Sequence, residues 1–185
     1  STVFNALTGL KQHTGNWVGK TVGNAKGSFV FNKRKYIITD LPGTYSLCAH
    51  SEEEVLASNH ICFDEPDVTV IVCDASCLER NLNLVFQVTE ITSKAVICVN
   101  MVDEAQKKNI SIDTQKLFKI LGIPVVPTCA KSKKGLRNLL EAIESVAEKG
   151  TYSNDKAIVY TSKIESAITK LLPFAQKICE NEKKQ

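Results

Sequence analysis

No charge of one sign dominates this sequence of 185 residues: 23 Lys and Arg stand against 20 Asp and Glu, a formal net charge of +3. So small and scattered an excess excludes a protein that coats a polyanion, which needs its basic residues gathered in one stripe. Long apolar runs are missing as well. The densest, 68–73 and 95–99, have the length of strands and fall far short of a membrane helix. The chain is therefore expected not to cross a membrane by itself. Nor does it open on a basic stretch followed by an apolar segment, and no secretory leader is expected. With 43% hydrophobic and 23% charged residues, the composition excludes a disordered chain. The length suits one domain of ordinary size and a small appendage.

A disulfide framework is also absent. The seven cysteines are scattered, and Cys73 and Cys98 sit inside apolar runs. That pattern predicts reduced, largely buried thiols in a reducing compartment. Cys73 and Cys77 form the one close pair, and a lone CxxxC is weak evidence for zinc. His13, His50, His60 and the cysteines show no spacing that calls for a metal such as iron.

What is present is an alternation. The runs 67–74 and 94–100 are continuously apolar and β-branched, as expected of strands covered on both faces. Between them, 79–91 places Leu82, Val85, Phe86 and Ile91 near helical spacing. The segment 114–121 predicts a second helix stopped by Gly122, and 124–127 a short strand. The segment 136–146 is an amphipathic helix with Leu136, Leu139, Leu140, Ile143 and Val146 on one face. Strand and helix in alternation predict a parallel sheet with helices on both faces, an α/β fold. Ahead of this, 2–8 reads as a helix ending at Gly9, and 29–31 and 36–38 as an antiparallel hairpin. Ser51 before Glu52, Glu53 and Glu54 reads as a helix cap with an acidic first turn. Beyond Gly150 the pattern changes to a linker and a helix over 163–180 interrupted by Pro173. We expect two domains, 1–150 and 151–185, the second only the start of a helical domain.

Polar residues gather where the strands end, the place an open α/β sheet offers its ligand. The second buried strand closes on Asn100-Met-Val-Asp103. A carboxylate there can accept two hydrogen bonds from the ring N–H and exocyclic amine of guanine, and adenine would leave it unpaired. Asp40-Leu-Pro-Gly43 follows the strand over 36–39. Its Asp can hold a water on Mg²⁺, and its Gly can bring a backbone amide to a terminal phosphate. In Thr128-Cys129-Ala130-Lys131, backbone amides can face the guanine carbonyl. The order Thr21, Asp40-x-x-Gly43, Asn100-x-x-Asp103, Cys129-Ala130-Lys131 is that of a GTP-binding domain with a P-loop NTPase-like (Ras-like) fold. The phosphate loop GxxxxGK[ST] is absent. Ser1-Thr2-Val-Phe-Asn continues such a loop, so the expectation is that the first strand and phosphate loop lie upstream. On that reading Ser1 is the loop's last hydroxyl, a Mg²⁺ ligand.

The strings Ser1-Thr-Val-Phe-Asn-Ala-Leu-Thr-Gly9, Gly15-Asn-Trp17, Gly19-Lys-Thr-Val22, Asp40-Leu-Pro-Gly-Thr-Tyr-Ser-Leu47 and Val72-Cys-Asp-Ala-Ser-Cys-Leu-Glu-Arg-Asn-Leu82 resemble the FeoB family. These are bacterial ferrous-iron transporters with a cytosolic amino-terminal G domain. The resemblance covers residues 1 to about 150, and more loosely the helical GDI-like or spacer domain that follows.

It implies Mg²⁺ ligation by Ser1 and Thr21, with Asp40 acting through a metal-bound water. Thr2 would lie at the phosphates, and Gly43 would sense the terminal one. Asn100, Met101 and Asp103 would meet the base, with Cys129, Ala130 and Lys131 beside it. Met101 replaces the Lys that packs on the base in many GTPases, which implies weaker base packing and quick exchange. The position after Asp40-Leu-Pro-Gly43 is Thr44, where Ras-like proteins carry a water-orienting Gln. The family resemblance instead assigns water positioning to the first switch, around Gly15, Asn16 and Trp17, with Thr21 also catalytic. Potassium could supply extra positive charge, bound through an Asn in the absent phosphate loop.

The function so implied is GTP binding and slow hydrolysis, coupling guanine-nucleotide state to ferrous iron uptake. The site would lie on the cytoplasmic face of the cell membrane. The partner would be the membrane-embedded remainder of the same protein; homo-oligomers are compatible with the reading, and nucleic acid is not an expected partner. Two alternatives stay open at this point: a GTPase of ribosome assembly or tRNA modification, and a nucleotide-gated switch with negligible turnover.

Overall fold

In the computed structural model the described residues are 2–10, 25–47 and 51–149. The chain divides into two units, Ser1–Ser153 and Asn154–Gln185. The second, with the expected kinked helix, lies outside the described residues.

The first unit opens on helix α1 (Thr2–Thr8) and continues through strands β1 (Ala25–Phe31) and β2 (Arg34–Asp40) to helix α2 (Glu52–Phe63). Strand β3 (Thr69–Asp74), helix α3 (Leu78–Ile91), strand β4 (Ala95–Asn100) and helix α4 (Val102–Lys107) follow. Helix α5 (Thr114–Leu121), strand β5 (Val125–Pro127) and helix α6 (Leu136–Lys149) complete it. Strands β3, β4 and β5 lie side by side in that order and run parallel, with Asp74 beside Asn100 and Val99 beside Pro127. The polar residues after all three therefore share one rim. This is the α/β architecture expected from the alternating pattern.

The burial of β4 explains its continuous apolar run. Every one of its residues is buried, and the period of two along a strand divides them between two cores. Ala95, Ile97 and Val99 join Ile61 of α2, Val85 and Val88 of α3 and Ala105 of α4. Val96 and Cys98 face the other way, into Val3 of α1 and Leu136, Leu139, Ile143 and Val146 of α6. The buried face of α3 is Asn81, Val85 and Val88, whereas Ile91, expected inside, is exposed. Ile91 is the last residue of the helix, where the chain turns off toward β4 and the helical period no longer sets the facing side.

Local chemistry sets the ends. Ser51 caps α2, its hydroxyl accepting from the Glu54 amide at 3.2 Å. Asp113 does the same for α5 through the Lys116 amide at 2.8 Å, and Gly122 ends that helix at φ 74°. The hairpin turn is tighter than the expected Asn32-Lys-Arg-Lys35. Asn32 and Lys33 alone make it, at φ 48° and 65°, so Arg34 and Lys35 belong to β2. Positive φ at both turn residues matches the twist of the paired strands. Phe29 and Tyr36, opposite one another, stack with centroids 5.1 Å apart.

The hairpin forms its own two-stranded sheet, and Tyr36 packs into the core that includes Val68 and Val70 of the β3 side. Its turn is tied to α6: Asn32 Nδ2 donates to Glu144 at 2.7 Å and Arg34 pairs with Glu148 at 2.6 Å.

The thiols divide. Cys73, Cys98 and Cys129 are buried, but Cys62 and Cys77 are exposed, against the expectation of general burial. Cys62 lies next to the last residue of α2 and Cys77 just ahead of α3, both beyond the packed faces. All five are free thiols. Burial pushes Cys73 up to about 12 and Cys98 up to about 11, which keeps both protonated and unreactive.

Candidate functional site

Two loops at the carboxyl rim of the parallel sheet are built as one body. The first leaves β4 at Asn100 and enters α4; the second leaves β5 and carries Thr128, Cys129, Ala130 and Lys131. The Thr128 amide donates to Val99 O at 2.8 Å, and the Val102 amide donates back to Thr128 O at 3.3 Å. Side chains complete the connection. The Ala130 amide donates to Asn100 Oδ1 at 2.9 Å, and the Thr128 hydroxyl reaches the same oxygen at 3.3 Å.

Because both partners are donors, the acceptor end of the Asn100 amide must face them. Its Nδ2 is thereby turned away from the second loop. Cys98 Sγ lies 3.2 Å from the Thr128 hydroxyl. With the hydroxyl proton given to Asn100, that thiol becomes the donor, and a chain runs Cys98 to Thr128 to Asn100. Thr128 is 1% exposed and Asn100 7%, so the network operates away from water.

Gly135 makes the second loop possible. It adopts φ +75°, and a Cβ on it would stand 2.3 Å from Pro127 O, an overlap with backbone that no rotamer can relieve. Its carbonyl accepts from Leu139, and so opens α6 directly behind the loop.

Asp103, in the first turn of α4, is half-buried at the mouth of this body. A hydrogen bond from the Cys129 side chain, foremost, holds its carboxyl below the usual carboxylate range. Partial desolvation opposes this, and the Asp103 and Glu104 amides and Lys107 assist. Met101 takes the left-handed conformation at φ 61° and is 38% exposed. A non-glycine residue there is strained, and the backbone bonds from Glu104 and Ala105 to Met101 O, both 3.1 Å, hold it.

Asp40 and Gly43 belong to another part of the rim. Asp40 ends β2, and the residues after it lie along α3. The Leu47 amide donates to Gln87 Oε1 at 2.7 Å, and Arg80 sits over the Tyr45 ring, 4.0 Å from its centroid. Since α3 starts just past the end of β3, the Arg80 contact keeps Tyr45 near the sheet's carboxyl rim, while Gln87, about 10 Å further along the helix, holds Leu47. Thr44 is engaged locally, its hydroxyl accepting from the Ser46 amide at 3.1 Å.

Of the residues expected to act, the structure joins Asn100, Met101, Asp103, Cys129 and Ala130 in one cluster. Lys131 follows on the exposed turn, and Thr2 lies in the first turn of α1. Ser1, Gly15, Asn16, Trp17 and Thr21 lie outside the described residues. Of the amides in the 128–131 loop, that of Ala130 donates to Asn100 Oδ1. A buried carboxamide oxygen without a donor would be costly, and Ala130 supplies one. Sequence reasoning passed over Thr128, Arg80 and Gln87 as partners, since their contacts join elements distant in the chain. The polar Thr at the end of an apolar strand was the one signal available.

A parallel three-stranded sheet covered by helices on both faces, with polar loops at its carboxyl rim, is an open α/β fold, and the solved FeoB G domains it matches assign it to the P-loop NTPase class. A model of the family described as ferrous iron transport protein B matches residues 1–143. The chain belongs to this family, FeoB. It is 39% identical over 148 residues to the Fe(2+) transporter FeoB of Salmonella typhimurium, covering 78% of this chain and 19% of that protein. The Escherichia coli K12 transporter gives the same figures, 39%, 78% and 19%. The chain thus spans about a fifth of the length of these curated relatives.

Among solved structures, the FeoB G domain of Methanococcus jannaschii superposes with a TM-score of 0.70 at 39% identity, covering 80% of this chain and 88% of that one. The cytosolic domain of T. maritima FeoB in GDP form gives 0.78 at 36%, covering 95% and 69%. A second T. maritima structure is described as the GMPPNP form, with a TM-score of 0.78. The match does not favour a GTPase of ribosome assembly or tRNA modification. Among the described residues no helix is long and apolar enough to cross a membrane.

Proposed function

We propose that this chain is the guanine-nucleotide-binding part of a ferrous iron transporter, on the cytosolic side of the membrane. In the complete domain it would hydrolyse GTP slowly to GDP and phosphate. The observation that carries the reading is the cross-linked pair of loops around Asn100 and Asp103. It presents an ionised carboxylate and an oriented carboxamide beside one another, a set that suits the hydrogen-bonding edge of guanine. The relatives solved in GDP and GMPPNP forms support the same ligand class.

In this reading Asp103 accepts from the ring N–H and exocyclic amine, Asn100 turns Nδ2 toward the base, and Met101 covers a ring face. The phosphate loop would come from sequence preceding Ser1, on a strand between β2 and β3. Two features support that placement among the described residues: β3 is an edge strand whose Val72 is 48% exposed, and Thr69 Oγ1 is buried without a hydrogen-bond partner.

For Mg²⁺ the donor chemistry fits. Asp40 is a hard carboxylate oxygen closing β2, and the hydroxyls of Ser1 and Thr21 would complete an oxygen set. The ion, when bound, neutralises charge on the phosphate oxygens. The chain's own part is to hold the nucleotide, to sense the terminal phosphate through Gly43, and to place the attacking water through Gly15, Asn16 and Trp17. Potassium is a second cation in this proposal. Iron is the cargo, carried by membrane segments beyond this chain and governed by nucleotide state.

Titration of the full-length protein with a fluorescent GDP analogue, followed by phosphate-release assays with GTP, tests the reading. Saturable binding displaced by GTP and not by ATP is expected. No binding, or equal displacement by ATP, contradicts it.

A further inference from the structure

We propose that the outward face of the β1–β2 hairpin is a docking surface for anionic lipid headgroups, which seats this domain on the cytosolic face of the membrane. The inference goes beyond the nucleotide reading above and takes from it only the placement beside a membrane.

The period of two along a strand divides the hairpin into two faces. Phe29 and Tyr36, stacked on one another, lie on the inward face, and Tyr36 packs into the core shared with α6. Arg34, two residues before Tyr36, is on that side too. The acidic groups of α6 are engaged there, Glu148 by Arg34 and Glu144 by Asn32 and Tyr36.

The outward face carries Lys26, Ser28 and Val30 from β1, with Thr39, Ile37 and Lys35 opposite them on β2. It holds two lysines and no acidic residue, and Lys33 stands in the turn. None of these three lysines pairs with an acidic side chain among the described residues. Val30 and Ile37 project from the same face, 71% and 76% exposed. A single bare aliphatic is ordinary, but these two are diagonal neighbours across the strand pair and form a patch within the basic face. Between this face and the end of α1 lies a depression of about 430 Å³, lined by Thr8, Leu10, Lys26, Ser28, Lys35 and Ile37. Two ammonium groups and the Ser28 hydroxyl suit a lipid phosphodiester, and the aliphatic side chains suit the apolar boundary beneath the headgroups.

Shape and charge separate this partner from others. A protein strand added to the hairpin would use the main-chain edge of β1 and read side chains on both faces in alternation. Here the charge and the apolar area share one face, the arrangement of a surface that lies on a plane of headgroups. A second copy of the hairpin would set lysine against lysine. An anionic leaflet strengthens binding about fivefold for each lysine brought to its surface. So modest a gain is enough where the membrane is held close by the same polypeptide.

The experiment places photoreactive p-benzoylphenylalanine at Val30 of the full-length protein, and separately at Phe63, in lipid nanodiscs. Phe63 is the control, 77% exposed but followed by Asp64 and Glu65. The nanodiscs contain phosphatidylcholine alone or an equal mixture with phosphatidylglycerol, and mass spectrometry identifies the adducts. We expect a lipid adduct at position 30 about tenfold more abundant with phosphatidylglycerol than without, and little at position 63 in either. Lys26→Gln combined with Lys35→Gln should lower that adduct about tenfold, and high salt should lower it with the lysines in place. The lipid and salt comparisons need no lysine variant and stand if the double variant fails to fold. The inference is overturned by the absence of a lipid adduct at position 30, by equal yields in the two lipids or at the two positions, or by an adduct with protein in place of lipid. GDP titration of the same nanodiscs keeps the two readings apart. GDP binding without a lipid adduct removes this inference alone, whereas a lipid adduct without GDP binding removes the guanine reading and leaves this one.

Discussion

The two ends of the carboxyl rim are built on different principles. At the end proposed to read the base, loops from β4 and β5 are joined by main-chain bonds in both directions and by a buried chain through Cys98, Thr128 and Asn100. At the other end, 41–47 rests on α3 through the Gln87 acceptor, Arg80 over the Tyr45 ring and the partly buried Leu41 and Leu47. Buried hydrogen bonds that tie main chain to main chain give a single arrangement, while partly buried side-chain contacts leave a segment freer to exchange one position for another. A nucleotide switch needs both: a base site that does not change with phosphate number, and a segment that does.

The contrast can be attacked from either end. The largest effect is expected at Gly135. An alanine there would force its Cβ against Pro127 O and hold positive φ, and Gly135→Ala should destabilise the fold by about 2–4 kcal/mol. Chemical denaturation measures this; an unchanged midpoint would mean that the base-reading end is not rigid.

A smaller effect, of another kind, is expected from Gln87→Ala. Losing the acceptor of the Leu47 amide should change GTP hydrolysis several-fold, on the order of 1 kcal/mol, with GDP affinity unaltered. Equal loss of GDP binding would show that the two ends are not separable.

Met101→Lys should raise nucleotide affinity about threefold, because a long cationic stem covers more of the base than the present side chain. No gain in a fluorescence titration would remove the role given to Met101.

The smallest expected change is with pH. The Asp103 carboxyl is held below its usual value, so its contribution is present above the ordinary carboxylate range. It is lost only as pH falls through the lowered value. GDP affinity should stay flat from about pH 8 to 5; a steep fall near pH 5 would mean that the carboxyl is not held ionised.

Much of this was legible in the chain because periodicity and end signals are local. The buried run of β4, the cap at Ser51, the stop at Gly122 and the α6 stripe each follow from neighbouring residues. The hairpin strands proved longer than their apolar centres, since 25–28 carry small and polar residues that hydropathy passes over. Helix α4 went unforeseen, its six residues lacking an apolar stripe. The residues proposed for the base site form short strings, but their partners do not. That Thr128 serves Asn100, or that Gln87 holds Leu47, depends on segments about thirty to forty positions apart, and no short pattern encodes such a meeting.

The central claim is that the rim around Asn100 and Asp103 reads guanine. Xanthine offers a carbonyl where guanine has its exocyclic amine, so a carboxamide should fit it where a carboxylate fits guanine. Calorimetric titration of full-length native protein and Asp103→Asn with GDP and XDP tests this directly. Native protein should prefer GDP and the variant XDP, each by at least about a hundredfold. A variant that keeps native preference, or a native protein indifferent to the base, would contradict it.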